Sequence, residues 1–498
     1  MWFRRDLRLA DNHALLSAVA AADGAVPGNG AVTGHGTGNR NGNGPGNGTG
    51  KGTDGVVPLF VLDPSLSRPA GRPRRAYLAA SLTDLGARIG GLQLRRGDPV
   101  PEVVAVARAA EAATVHIAED FGPLGRRRDR AVESALASHG IELVRTGSPY
   151  AVPPGRVLNK TGDPYRVFTP YSRTWRDHGW RPPPMPPDAV RWIRPLESHQ
   201  LDDEPLPEGL RLPAAGEPAA QHSWHEFHGR RLDDYEATRD RADLDGTSRM
   251  SVHLKWGEIH PRTLLADLAR LPGASAARYG AELAWREFYA DVLWQSPDSA
   301  REYLRPELAA MEYDEPGLRL MAWRDGLTGY PIVDAGMRQL RAEGWMHNRI
   351  RMVVASFLVK DLHIEWRHGA RHFMRWLADG DLASNQHGWQ WTAGCGTDAA
   401  PYFRIFNPTL QGKRFDPHGD YVRRYVPELR QVGVTSIHEP WTLPGGPPAG
   451  YPAPIVDHDR ERRESLRRLE MVRRVAGRGV RPRPPPGPRL ASFLVQCR

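Results

Sequence analysis

The stretch 376–406, WLADGDLASNQHGWQWTAGCGTDAAPYFRIF, concentrates reactive side chains. Two carboxylates, Asp379 and Asp381, flank Gly380; Asn385 follows, then Trp389, Trp391, a Gly-rich turn and Arg404. His and Cys at metal-ligand spacing are missing, so no metal site is expected. Paired carboxylates inside a Trp cluster suit a heteroaromatic redox cofactor, which needs hydrogen bonds at its ring edge and apolar cover on its faces.

A second candidate is 345–362, WMHNRIRMVVASFLVKDL, with the periodicity of a helix. Ile350, Val353, Val354 and Phe357 form the core stripe. Nearly opposite stand Trp345, Asn348, Arg349 and Met352, a set suited to a flat, hydrogen-bonding ligand. A helix buried on both sides would use the same residues, with Asn348 and Arg349 satisfied internally. In 281–294, AELAWREFYADVLW, Glu282, Trp285 and Tyr289 share one stripe, so a base could stack on the indole while its edge meets the carboxyl. The plainer alternative is a surface Glu beside a core Trp. Finally, 245–257, DGTSRMSVHLKWG, places Thr247, Ser248 and Ser251 ahead of a helical run, either as an anion cradle or as an ordinary N-cap.

Strands and helices alternate over residues 1–150: strands at 1–4, 56–63, 92–95, 114–118 and 141–145, helices at 74–89, 100–111 and 126–139. Such alternation predicts an α/β domain with a doubly wound parallel sheet, whose ligands bind beyond the strands' carboxyl ends; Asp63, Asp98, Glu119 and Asp120 there are either ligand contacts or ordinary loop residues. Residues 24–55 hold thirteen Gly and too little apolar surface to order, which predicts a disordered insertion. A Pro-rich linker is expected over 151–221, an all-α domain over 222–456, and a basic Arg/Pro-rich tail over 457–498.

The net charge of +9 lies entirely in residues 460–498, where twelve Arg face three Glu. The remainder is formally neutral, so bulk charge identifies no partner. Two cysteines exclude a disulfide framework. No apolar run approaches the ~20 residues needed to cross a bilayer. A cytoplasmic monomer is expected.

The motifs WFRRDLRLADNHAL, GTSRMS, ELAWREFY, TGYPIVDAGMRQLRAEGWMHNRIRM and DGDLASNQHGWQWTAGCGTDAAPYFRIFNP resemble the cryptochrome/photolyase family. The resemblance spans nearly all of the chain outside the insertion, parts of the linker and the tail. It implies an α/β antenna domain and a helical domain holding FAD. It further implies that Tyr235, Thr247, Ser248, Arg249, Met250 and Ser251 bind the FAD phosphates and adjoining parts. Asp379 and Asp381 would contact the flavin and ribityl chain, and Asn385 would sit beside flavin N5. Glu282, Trp285, Asn348, Arg349, Met352 and Trp391 match the lesion pocket of enzymes that repair cyclobutane pyrimidine dimers in UV-damaged DNA, with Arg404 on backbone phosphates.

Within the family, His347-Asn348-Arg349 where the (6-4) enzymes carry a His pair points to class I dimer repair. Asn at 385 resembles the repair enzymes, whose flavin is FADH⁻, more than the cryptochromes. The resemblance gives catalytic roles to Glu282, Asn385 and Asn348. Trp366 and Trp389 match two members of a three-Trp electron chain, whose outermost position falls on Tyr313. Glu119-Asp120 before GPLGRRRD favours 8-hydroxy-5-deazaflavin over 5,10-methenyltetrahydrofolate as the antenna. The alternative function is a blue-light photoreceptor signalling through a protein partner.

Overall fold

The computed structural model describes residues 1–24, 55–398 and 404–477. The Gly-rich insertion and the Arg/Pro end of the tail fall outside the described residues, apart from Gly24 and Gly55. Five short strands form the N-terminal domain: β1 (Trp2–Phe3), β2 (Leu59–Leu62), β3 (Gln93–Arg96), β4 (Thr114–Ile117) and β5 (Glu142–Arg145). All pairings are parallel. The strands run β3-β2-β1 in one ladder and β4-β5 in another, with β1 beside β4. Being only two residues long, β1 leaves no ladder bonds to β4. The doubly wound topology is therefore present, but it is split at its switch point.

Helices α1 (His13–Ala22), α2 (Arg72–Arg88), α3 (Pro99–Ala109) and α4 (Pro123–Ala137) cover the sheet. Their starts are written locally. Asn12 caps α1 by accepting from the Leu15 N–H at 3.1 Å, and Asp98 caps α3 ahead of Pro99. The acidic strand ends thus serve partly as helix caps.

The expected linker does not hang free. Val56 bridges Trp192, and the His199 N–H donates to the Leu94 carbonyl at 2.9 Å, so this stretch lies along the sheet. The turn after β1 forms the main joint between the domains. Leu7 N–H donates to the Trp256 carbonyl at 3.2 Å, Arg8 to the Gly257 carbonyl at 3.0 Å, and Arg262 pairs with Asp11 at 2.5 Å. Gly257 is required there: at φ 69° its missing Cβ leaves room for the Arg5 carbonyl.

Beyond β5 the described residues contain helices and no strand. Four helices carry the site: α5 (Ser251–Trp256), α6 (Ala274–Gln295), α7 (Asn348–Ser356) and α8 (Leu382–Ala393). A fifth, α9, belongs to the tail and spans His458–Gly477. No helix is long and apolar enough to cross a membrane.

Buried carboxylates on α6 hold the strap 151–157. Glu287 accepts from Val152 N–H at 3.0 Å and Trp175 Nε1 at 2.6 Å, and Asp291 accepts from Gly155 N–H at 2.6 Å. Burial pushes the Asp291 carboxyl up to about 6, only partly opposed by that hydrogen bond. A carboxyl raised on folding contributes fully below its unfolded value and loses that contribution as pH rises through about 6. Ionised Asp291 then costs on the order of 2–3 kcal/mol. We expect Asp291→Asn to abolish this component of the stability decline between pH 4 and 7, measured as denaturant midpoints across pH; an unchanged pH profile would sink the assignment.

Candidate active site

The helical domain encloses a cavity of about 500 Å³. Sixteen of the residues singled out by sequence meet there: Tyr235, Ser248, Met250 and Ser251; Asp379, Asp381, Asn385 and Trp389; Glu282, Trp285, Tyr289, Trp345, Asn348, Arg349, Met352 and Trp391. Thr247, Arg249, Trp366, Tyr313 and Arg404 are not in its lining.

On the first wall, Ser248 Oγ and Tyr279 Oη share a hydrogen bond of 2.7 Å, and Trp345 Nε1 donates to Ser251 Oγ at 3.3 Å. The residue capping α5 is Met250, with no side-chain cap bond, so the serines are not ordinary N-caps. Arg249 sits at φ 53° and is directed away, over the Trp345 ring and paired with Glu343 at 3.0 Å.

Helix α8 supplies the second wall. Asp381 caps it by accepting from Ser384 N–H at 3.0 Å, which turns the preceding Asp379-Gly380 inward. Asp379 pairs with Arg351 at 2.7 Å through Oδ2, whereas Oδ1 is buried without a hydrogen-bond partner. Asp381 pairs with Arg5 at 2.7 Å, so the N-terminal domain reaches into the site. Burial alone would raise the Asp381 carboxyl, but Arg5, Lys255 and Arg286 together hold it well below the usual carboxylate range. Burial, reinforced by Arg5, pushes the Lys255 ammonium down to about 7. Asn385 is anchored by donating to the Ala370 carbonyl at 3.2 Å.

The third wall is aromatic. Trp285 stacks flat on Phe168, with ring centroids 3.7 Å apart and planes 8° from parallel, so its cavity-side face is rigidly backed. Glu282 on the same helix is half-buried and ion-paired with Arg239. Arg349 is held by Asp240 at 2.8 Å, and Asn348 is exposed.

One local expectation needs correction. The helix does not begin at Trp345: Gly344 ends the preceding helix at φ 60°, and His347 caps α7 by accepting from Arg349 N–H at 3.2 Å. Trp345 still reaches the cavity, from the turn rather than from a helical stripe. Past Ser356 the helix widens into a π turn over Phe357–Asp361.

Arg239, Lys255, Arg286 and Arg351 line the cavity and were not anticipated. Only Arg351 carried a usable signal, three residues after Asn348 on one helix. The others answer carboxylates that are distant in sequence. Trp389 borders the cavity and packs on the helix Trp366–Trp376, where a Cβ on Gly369 would collide with its ring. Trp366 is fully buried, while Tyr313 is half-buried and Arg404 exposed. Tyr303, absent from the sequence reading, stands against Trp366 at 5.9 Å between ring centroids.

The chain is similar to known proteins over most of its length. A family model described as DNA photolyase matches residues 1–188, and one described as the FAD binding domain of DNA photolyase matches 279–471. A deoxyribodipyrimidine photo-lyase of Streptomyces griseus is 43% identical, covering 84% of this chain and 94% of that protein. The chain belongs to the cryptochrome/photolyase family. A second photo-lyase, from Halobacterium salinarum, is 38% identical over 95% of this chain and 98% of its own. Among photolyase-family structures, a bacterial class III photolyase from Agrobacterium tumefaciens superimposes with a TM-score of 0.83 at 34% identity, covering 95% of this chain and 97% of that one. These relatives agree with the α/β plus all-α architecture.

Proposed function

We infer that this chain is a light-driven DNA repair lyase, a deoxyribodipyrimidine photo-lyase, with FAD as its cofactor. The observation that carries the reading is a single cavity. It joins a charged, amide-bearing wall (Asp379, Asp381, Asn385) to an aromatic, hydrogen-bonding wall (Glu282, Trp285, Asn348, Met352). The first wall fits FAD: Asp379 Oδ1 and Trp389 Nε1 are buried polar atoms without a protein partner, and Arg351, Lys255 and Arg286 neutralise the carboxylates. Asp379, Asp381 and Asn385 would hold the flavin and ribityl parts, with Tyr235, Ser248, Met250 and Ser251 on the remainder. Bound as FADH⁻, the cofactor supplies one electron to the substrate on illumination.

The residues of the second wall prepare the substrate for that electron. A pyrimidine dimer flipped from the duplex brings two flat rings and their amide edges. Trp285, fixed by Phe168, gives one stacking face, and Met352 adapts to the other. Glu282, paired with Arg239, is an acceptor for a ring N–H, while Arg239 places positive charge where an added electron is stabilised. Asn348 presents an amide beside them, and Arg349 is braced by Asp240. Thr247, Arg249 and Arg404, outside the cavity lining, would reach only phosphates.

Dimer repair of the class I type, rather than (6-4) repair, is supported by His347. Its Nδ1 caps α7, the residue lies outside the cavity lining, and burial holds the ring neutral, down to about 4, so it is not poised as an acid for the lesion. We further propose 8-hydroxy-5-deazaflavin, ahead of methenyltetrahydrofolate, at the split between β1 and β4. Arg4 and Arg128 there flank the Trp2 ring at 5.0 and 5.1 Å.

Purified, reduced, FAD-loaded protein should restore oligonucleotides carrying a cyclobutane dimer under blue light and leave (6-4) lesions intact. Flavin photochemistry without dimer affinity in the dark would point instead to a photoreceptor.

A further inference from the structure

The outermost electron-chain position, Tyr313, does not stand directly against Trp366; Tyr303 does. The Tyr303 hydroxyl donates to Glu365 Oε1 at 3.0 Å, and the Tyr313 phenol lies close enough to couple to it electrostatically. Arg367 stacks over both rings, 5.0 Å from the Tyr303 centroid and 5.9 Å from that of Trp366, and pairs with Glu365 at 3.2 Å.

We propose that Tyr303 and Glu365 form a proton-coupled electron donor to Trp366, with Tyr313 next in line. This rests on the reading that Trp389 and Trp366 conduct electrons toward the flavin site. Three features favour it over a chain that ends at Trp366. Trp366 Nε1 is buried without an acceptor, so an oxidised Trp366 cannot shed its proton and stays cationic. Arg367 disfavours that cation and equally disfavours a cationic Tyr303. Tyr303 alone has both a removable proton and a carboxylate placed to receive it, and burial, with Tyr313 and Glu365 nearby, raises its phenol so far that prior ionisation plays no part.

One electron passes from the Tyr303 phenol to the Trp366 radical cation, restoring neutral Trp366. The phenolic proton moves to Glu365 Oε1, leaving a neutral phenoxyl radical and a carboxylic acid. A dissolved thiol then returns a hydrogen atom to the tyrosine pair, and Glu365, 22% exposed, releases its proton to solvent. Trp323 offers no comparable terminus: it touches Trp389 at 6.1 Å but is fully buried, and its indole N–H is committed to the Val354 carbonyl at 3.0 Å.

The test uses the full chain with oxidised FAD, flash-illuminated and frozen for electron paramagnetic resonance, with transient absorption in H₂O and D₂O. Wild type should give a tyrosyl radical that forms more slowly in D₂O. Tyr303→Phe should lose that signal and the thiol-driven accumulation of reduced flavin. Glu365→Gln should slow the radical's formation and remove the D₂O effect. Tyr303→Trp should exchange the tyrosyl spectrum for a tryptophanyl one, a readout that still decides the matter if the Phe variant folds poorly. A full tyrosyl signal in Tyr303→Phe, or a tryptophanyl signal in wild type, overturns the proposal. Trp366→Phe separates the premise: a surviving tyrosyl signal there shows that the route does not run through Trp366 at all.

Discussion

Replacing Glu282 with alanine should weaken binding of dimer-containing DNA by roughly 10- to 100-fold, because a hydrogen bond to a charged group is worth ~1.5–3 kcal/mol. Flavin should stay bound, since the residues assigned to it lie on other elements. Glu282 is on α6, whereas Asp379 and Asp381 precede α8 and Ser251 opens α5. The substitution removes the acceptor for the ring N–H and also leaves Arg239 only its longer pairing with Asp240, at 3.9 Å. A guanidinium so loosened can attract a DNA phosphate, so nonspecific affinity should hold or rise while preference for the lesion falls. Titrating damaged and undamaged oligonucleotides in the dark, at one salt concentration, separates the two effects. Loss of flavin from the purified variant would contradict the placement of Glu282 on the substrate wall.

Asp379→Ala should act on the other wall, and more severely. Asp379 is 5% exposed and neutralises Arg351, whose side chain is 24% exposed, so stranding that guanidinium costs less than the ~3–5 kcal/mol of a fully buried pair. It also removes the unpartnered Oδ1, the atom best placed to meet a cofactor hydrogen-bond donor. The expected product is a folded protein that loses most of its flavin on gel filtration, read as flavin absorbance per chain. The double variant Asp379→Ala, Arg351→Ala should recover part of the lost stability, since no unpaired charge stays buried, but should not recover the flavin. Stoichiometric flavin in the single variant would remove Asp379 from the cofactor site.

The tests on α6 and α8 draw on different grades of sequence information. The helix 348–356 was legible because its core stripe repeats with helical period, and Glu282, Trp285 and Tyr289 were legible for the same reason. Trp345 was placed on that helix wrongly, because a periodic pattern carries no mark for the cap at His347 that stops it. The strands were found to within three residues at each end. The break between β1 and β4 was not, since pairing depends on how far two strands overlap in space. Arg239, Lys255, Arg286 and Arg351 were missed because a surface Arg and one that answers a buried carboxylate look alike in a sequence.

By itself the sequence determined the architecture, the family and most of the singled-out side chains that meet in the cavity. Those follow from local periodicity, cap residues and long motifs, all properties of neighbouring positions. Tertiary structure alone decided that Asp379 faces Arg351 and that Asp381 is held ionised by Arg5 from the other domain. It also decided that Trp366 meets Tyr303 before Tyr313. Each is a contact between residues at least 28 positions apart. Such contacts are set by the burial and packing of whole elements, and the Coulomb and proton-transfer consequences drawn from them exist only at the distances that packing creates.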